Sequence, residues 1–136
     1  MTVKFMLDTN MCIYLMKHQP PEVAGRFAQC FVGEVVISAI TLAELEFGVV
    51  CSDENMEQNR RALDLLLEDI CVAPFDAKSA RAYGPIRLQT RDRKRDALDK
   101  LIAAHAVALD VVLVTNNTAD FLIYPGLKIE NWVANH

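Results

Sequence analysis

The sequence predicts an α/β fold in three layers, α/β/α, around a central and mostly parallel sheet of about five strands. Three observations predict it. Short runs rich in β-branched and other apolar residues recur along the chain: "VKFML" (3–7), "VVIS" (35–38), "ICVAP" (70–74), "VVLVT" (111–115) and the weaker "LKIENW" (127–132). Helix-period patterns separate them, and strands buried on both faces between helices are how a parallel sheet reads. The chain has 136 residues, enough for one core and too few for two ordinary ones, so a single domain over 1–136 is expected.

The elements follow in order. The first strand stops on Asp8, Thr9 and Asn10, and helical patterns at 10–16 and 22–31 come next. After the second strand, helices are expected over 41–50 and 53–69, the latter with Leu63, Leu66 and Leu67 as its core-facing stripe. The third strand leads into a helix from 76 to about 90. The stretch "RLQTRDRKR" (87–95) then carries five basic residues against one acid, Asp92. A helix over 96–109 precedes the fourth strand. His105 lies about 240° around that helix from Asp99, which places it in the body of the protein rather than at a catalytic edge. Trp132 is expected to pack the last strand.

Composition narrows the function. The longest apolar runs are broken by charges well before membrane-spanning length, and no secretory h-region follows Lys4, so a cytoplasmic protein without a membrane span is expected. Cys12, Cys30, Cys51 and Cys71 show no CxxC pair and no histidine at metal-ligand spacing; they read as reduced thiols. The net charge of −4 argues against general affinity for nucleic acid, although the basic stretch at 87–95 runs directly into the segment around Asp99.

In a parallel α/β fold, ligands bind outside the carboxyl ends of the strands. Following each strand to that end collects Asp8, Glu44, Asp99 and Asp120, with Asn117 beside them. Each acid alone has an ordinary use. Thr41 with Glu44, and Asp96 with Asp99, have the spacing of a capping box; Asp8 fits a helix cap and Asp120 a turn. Glu46 is turned about 200° from Glu44 on the same helix and is assigned to solvent or an ion pair. Together the acids say more. Two carboxylates about 5 Å apart at an effective dielectric near 20 repel by roughly 3 kcal/mol, so a group of them calls for a cation. Hard oxygen donors suit magnesium or manganese, and such an ion beside a basic strip suggests phosphodiester hydrolysis.

Four blocks in register, "MLDTN", "ISAITLAELEFG", "DKLIAAHAVAL" and "LVTNNTADF", resemble the PIN-domain family, in particular the VapC-type toxins of bacterial toxin–antitoxin pairs. The resemblance implies a PIN-like α/β/α sandwich and a Mg2+- or Mn2+-dependent endoribonuclease, usually a homodimer. It also implies a VapB-type antitoxin that blocks it and forms with it a complex able to bind operator DNA. Some related toxins cut tRNA, including initiator tRNA in its anticodon loop. Asp8, Glu44 and Asp99 match the three most characteristic acids of the family, and Asn117 and Asp120 its last acidic block, with Asn117 standing where many members have Asp. In the implied mechanism Asp8 and Asp99 hold the metal, Glu44 binds it through water or orients the attacking water, and Asn117 or Asp120 completes the set. Thr9, Asn10 and Thr115 would steady these loops, and Arg91, Arg93, Lys94 and Arg95 would meet RNA. Asp96, three before Asp99 where relatives carry a small residue, is expected to cap its helix.

Three rivals are weaker. A haloacid-dehalogenase-type phosphatase needs a second Asp where Asn10 stands. A phosphoacceptor receiver domain could use Asp76 as its phosphorylated acid but needs a Lys ending the last strand, whereas Lys128 begins it. A PIN-like DNA-binding regulatory module with little nuclease activity would carry the same acids, and only an assay separates it.

Overall fold

A computed structural model describes residues 2–133. Five strands, β1 (Phe5–Leu7), β2 (Val35–Ser38), β3 (Cys71–Ala73), β4 (Val112–Val114) and β5 (Lys128–Glu130), form one parallel sheet in the order β3-β2-β1-β4-β5. The helices are α1 (Thr9–Lys17), α2 (Pro21–Ala28), α3 (Ala39–Val50), α4 (Met56–Asp69), α5 (Ala77–Gln89), α6 (Ala97–Leu109) and α7 (Thr118–Phe121). The sheet grows outward from β1 to β3, then the chain returns to the other side of β1 for β4 and β5. This reversal leaves a crevice at the carboxyl ends of β1 and β4, where open parallel sheets bind ligands.

Successive residues of a strand face opposite sides, and β1 divides the core accordingly. Leu7 packs with Met11, Leu15, Ile37, Leu63 and Leu66 under α1–α4, whereas Met6 packs with Ile102, Ala103, Leu113 and Phe121 under α5 and α6. Alanines at 103, 104 and 106 are fully buried and let α6 lie close to the sheet. Leu7 is level with both Ile37 and Val114, so the residues following β1, β2 and β4 emerge at one edge. The Asp8 N–H donates to the Val114 carbonyl at 3.0 Å and locks that alignment. Trp132 is buried, but its ring packs on Phe5 of β1, centroids 5.4 Å apart, and it meets the expected last strand through its Nε1, which donates to Glu130 Oε1 at 2.9 Å.

The differences from expectation are local. Helix α3 starts at Ala39 rather than 41, because Ser38 supplies the cap: its Oγ accepts from the Ile40 N–H at 3.0 Å. Residues 53–69 split into a 3-10 turn, Asp53–Asn55, and α4, with Asp53 in the left-handed region at φ 50°. Helix α7 is a single turn, too short to show a hydrophobic period, and α2 stops at Ala28 instead of 31. Among the described residues no helix is long and apolar enough to cross a membrane.

Candidate active site

Asp8 is the buried centre of the crevice. Only 4% of it is exposed, and it caps α1, Oδ1 accepting from the Met11 N–H at 2.9 Å. Capping and a role in the site are therefore not alternatives: the cap fixes one oxygen at the carboxyl end of β1, within the electrostatic reach of Asp99 and Glu44. Burial pushes its pKa up to about 6; the Thr115 hydroxyl and the Met11 N–H pull it down, and the charges of Asp99 and Glu44 raise it further. A residue held this far from its ordinary range in a cleft is a functional candidate with a physical cause.

Asp99 lies one turn into α6, half-buried. Burial raises its pKa, Glu44 raises it next, Arg93 opposes, and Asp120 and Asp96 add to the rise. Asp8, Glu44 and Asp99 thus share one electrostatic environment although they come from three distant parts of the chain. Glu44 sits on α3, and the Thr9 hydroxyl donates to its Oε1 at 2.7 Å. The capping box read from Thr41 and Glu44 is overturned: the helix begins earlier, Thr41 is buried inside it, and Glu44 is left free to face the crevice. Glu46, on the other face of α3, makes a two-pronged pair with Arg60 at 2.5 and 3.0 Å.

The fourth strand delivers the rest. Thr115 is fully buried, and its Oγ1 accepts from the Asn117 N–H at 2.9 Å. Asn117 is exposed, and its side chain does not cap α7. Asp120 is mostly exposed; its Oδ1 lies 3.4 Å from Arg93 Nη2, and its carbonyl accepts from Nη1 of the same residue. Asn10, expected to steady the Asp8 loop, is exposed and its side chain makes no hydrogen bond to the described residues of that loop; Met11 and Thr115 hold it instead.

Asp96 corrects the expectation most clearly. It stands before α6, yet its side chain caps nothing. Its Oδ2 accepts from the Tyr124 hydroxyl at 2.7 Å, and its Oδ1 lies 3.2 Å from the buried Lys100 ammonium, with Arg93 Nε at 3.7 Å. Burial raises its pKa, but Tyr124, Lys100 and Arg93 outweigh that and hold it below the ordinary carboxylate range. Arg93 is engaged within the protein: it lies over the Tyr124 ring, 5.6 Å from the centroid, and bridges Asp96 to Asp120. Sequence reasoning missed Lys100 and Tyr124. The spacing of Asp96 and Lys100 at i, i+4 was the one available signal.

Two further expectations are settled by contacts. His105 is buried, its Nδ1 2.7 Å from Ser38 Oγ, with burial lowering its pKa, so it belongs to the body of the protein. Asp76 caps α5 by accepting from the Ser79 N–H at 3.1 Å, and it follows β3, the edge strand of the sheet, rather than the strands that bound the crevice. Cys12, Cys30, Cys51 and Cys71 are all free thiols.

Among the described residues no three acids stand as a preformed metal-ligand set. The chemistry nevertheless suits a hard divalent cation: oxygen donors, a buried carboxylate kept near half-protonation at about pH 6, the Glu44 charge raising the pKa of both Asp8 and Asp99, and Arg93 as the cation beside them. A divalent ion among Asp8, Asp99 and Glu44 would relieve that repulsion.

Residues 5–125 match the family described as PIN domain. The tRNA(fMet)-specific endonuclease VapC of Shigella flexneri is 38% identical over 132 residues, covering 96% of this chain and 98% of that protein. Ribonuclease VapC2 of Rickettsia felis is 37% identical over 131 residues, covering 94% and 97%. The crystal structure of VapBC2 from Rickettsia felis, bound to a DNA fragment from its promoter, superposes with a TM-score of 0.88 at 35% identity, covering 96% of this chain and 100% of that one.

Proposed function

Since the chain belongs to the PIN-domain family, and to its VapC-type members, we propose that it is the Mg2+- or Mn2+-dependent endoribonuclease toxin of a toxin–antitoxin pair, cytoplasmic and acting on tRNA. The observation that carries this reading is Asp8: a buried carboxylate at the switch between β1 and β4, electrostatically coupled to Asp99 and Glu44. Relatives named as a tRNA(fMet)-specific endonuclease and a ribonuclease support RNA as the substrate, and initiator tRNA as the first one to test.

Asp8 and Asp99 would hold the ion, which when bound neutralises the phosphate oxygens and lowers the pKa of a water. Glu44, with its Oε1 occupied by Thr9, presents its other oxygen to orient the water that attacks the phosphorus in line, leaving a 5′-phosphate and a 3′-hydroxyl. Asp120 is kept at the rim by Arg93, and Asn117 adds an amide oxygen without charge.

The antitoxin has a seat of matching chemistry. A groove of about 770 Å3 between α1, α3 and α4 has an apolar strip of Ile13, Met16, Leu45 and Val49, polar sides that include Lys17, Gln58 and Asn59, and Glu44 in its lining. An apolar segment fits the groove, with a basic side chain reaching the acids. A homodimer and a VapB-type complex on operator DNA complete the reading, supported by the promoter-bound VapBC2 complex.

Cleavage of total bacterial tRNA and rRNA by antitoxin-free protein, with Mg2+, Mn2+ or chelator and with cut ends mapped, tests it. Discrete metal-dependent cuts with 5′-phosphate ends, lost in Asp8→Ala and Asp99→Ala, are expected. A folded, metal-binding protein that cuts neither would favour the regulatory module instead.

A further inference from the structure

The cations of this chain are unevenly paired. Among the described residues Lys4, Arg26, Arg60, Arg93, Lys100 and Lys128 each meet an acid. Arg87, Arg91, Lys94 and Arg95 meet none, nor do Lys17, Arg61, Lys78 and Arg81 elsewhere, but the first four gather in one concavity of about 310 Å3 between the end of α5 and the loop into α6. Its one acid, Asp96, is already engaged by Lys100 and Tyr124. In a protein of net charge −4, this is a local excess of positive charge that no free acid of the concavity offsets.

The loop that presents these cations is built from beneath. The buried Lys100 ammonium donates to the carbonyls of Thr90 and Arg93 at 3.1 and 3.3 Å, and the Thr90 hydroxyl donates to the Ile86 carbonyl at 2.7 Å. Arg95 is held in the left-handed region at φ 65°, a conformation that a non-glycine residue keeps only where its surroundings impose it. Arg87 lies over the Tyr83 ring, 5.9 Å from its centroid, which limits the orientations of its guanidinium. Arg91 and Lys94 reach only main-chain carbonyls, at 3.5 Å. Planar guanidinium forks match phosphate oxygens. Arg93 lines the same concavity and pairs with Asp120, so the basic pocket and the acid crevice share a wall.

We propose that this pocket seats a backbone phosphate of the RNA strand adjacent to the bond that is cut, with Arg87, Arg91 and Arg95 as its contacts. The proposal rests on the ribonuclease reading and extends it: the acids act on one phosphate, and the pocket holds a neighbour and sets which way the strand runs. Arg87 and Tyr83 thereby join the RNA-facing surface, while Arg93 serves the acids.

The test is binding of fluorescein-labelled bulk tRNA to full-length Asp8→Asn protein in chelator, followed across salt concentrations. Adding Arg87→Gln, Arg91→Gln and Arg95→Gln together should weaken binding at least tenfold. It should also make the salt dependence shallower by about 0.7 in log–log slope for each phosphate that is no longer neutralised. Arg61→Gln, Lys78→Gln and Arg81→Gln remove the same charge from exposed positions elsewhere and should change affinity less than twofold. In the active protein the pocket variant should lose tRNA cleavage through KM rather than kcat. Unchanged affinity and slope, or an equal loss in the control variant, would overturn the proposal. Intact tRNA binding with a weakened antitoxin complex would overturn it in favour of an acidic protein segment. Failure of the wild type to cleave RNA, with the binding pattern as expected, would refute the ribonuclease reading and leave the pocket standing.

Discussion

Replacing Asp8 by Asn should make the metal-free protein more stable, although it removes a residue of the site. Asn preserves the shape and the oxygen that accepts from the Met11 N–H, and it is as good a cap as Asp. What it removes is the charge. Asp8 titrates at about 6 in the folded protein against 3.8 for the unperturbed group, and at about 1.36 kcal/mol per pKa unit its ionisation costs the fold about 3 kcal/mol. Loss of the Thr115 bond to a charged acceptor offsets about 1 kcal/mol, leaving a net gain of about 2 kcal/mol. For a chain of this length that is a rise of about 7 °C in Tm. The sign follows from a raised folded pKa. Asp8 is neutral in both states well below pH 3.8; as pH rises from 3.8 to about 6 the unfolded chain ionises while the folded one keeps its proton, so the cost grows across that window and is constant above it. The gain in Asp8→Asn should therefore be complete at about pH 7–8 and vanish toward about pH 4. Groups such as His105 titrate alike in both proteins and drop out of the difference. Urea unfolding at the two pH values measures it. A variant less stable than wild type at about pH 8, or a gain independent of pH, would refute the electrostatic account. Adding Mn2+ should close or reverse the gap, because an ion bound at about 100 times its Kd stabilises the wild type by about 2.7 kcal/mol.

Three other variants probe the surroundings. Asp96→Ala strands the buried Lys100 ammonium and should cost about 3–5 kcal/mol in urea unfolding, with most of it recovered by adding Lys100→Met; a loss under about 1 kcal/mol would show that the pair is not a structural hub. Thr9→Val removes the donor to Glu44 and should lower kcat about tenfold, the equivalent of one hydrogen bond to a charged group, with Thr9→Ser restoring it; equal activity in Val and Ser variants would remove Thr9 from the mechanism. Asn117→Asp adds a carboxylate at the rim and should tighten Mn2+ binding about tenfold by calorimetry, since a further unit charge near an ion at a partly solvated site contributes on the order of 1 kcal/mol or more; unchanged affinity would place position 117 outside the ion's reach.

The sequence by itself determined the order of strands and helices, and with it the prediction that Asp8, Glu44, Asp99 and Asp120 lie at one edge of a parallel sheet. That much depends on local hydrophobic period and on the rule that parallel strands all end on the same side. Which capping reading held was decided by tertiary contacts. Ser38 took the cap that Thr41 was expected to provide, because β2 ends there and its side chain also meets His105 across the core. Asp96 turned inward because Tyr124, 28 residues further along, and Lys100 wait at the same buried spot. The partners of Arg93 were hidden for the same reason: Asp96, Asp120 and Tyr124 are assembled only when β4 returns beside β1 and brings the following segment against α6. Local pattern fixes where an element begins and which face is apolar, since these depend on neighbours a turn away; the partner that a charged side chain finds depends on residues the fold brings from far along the chain.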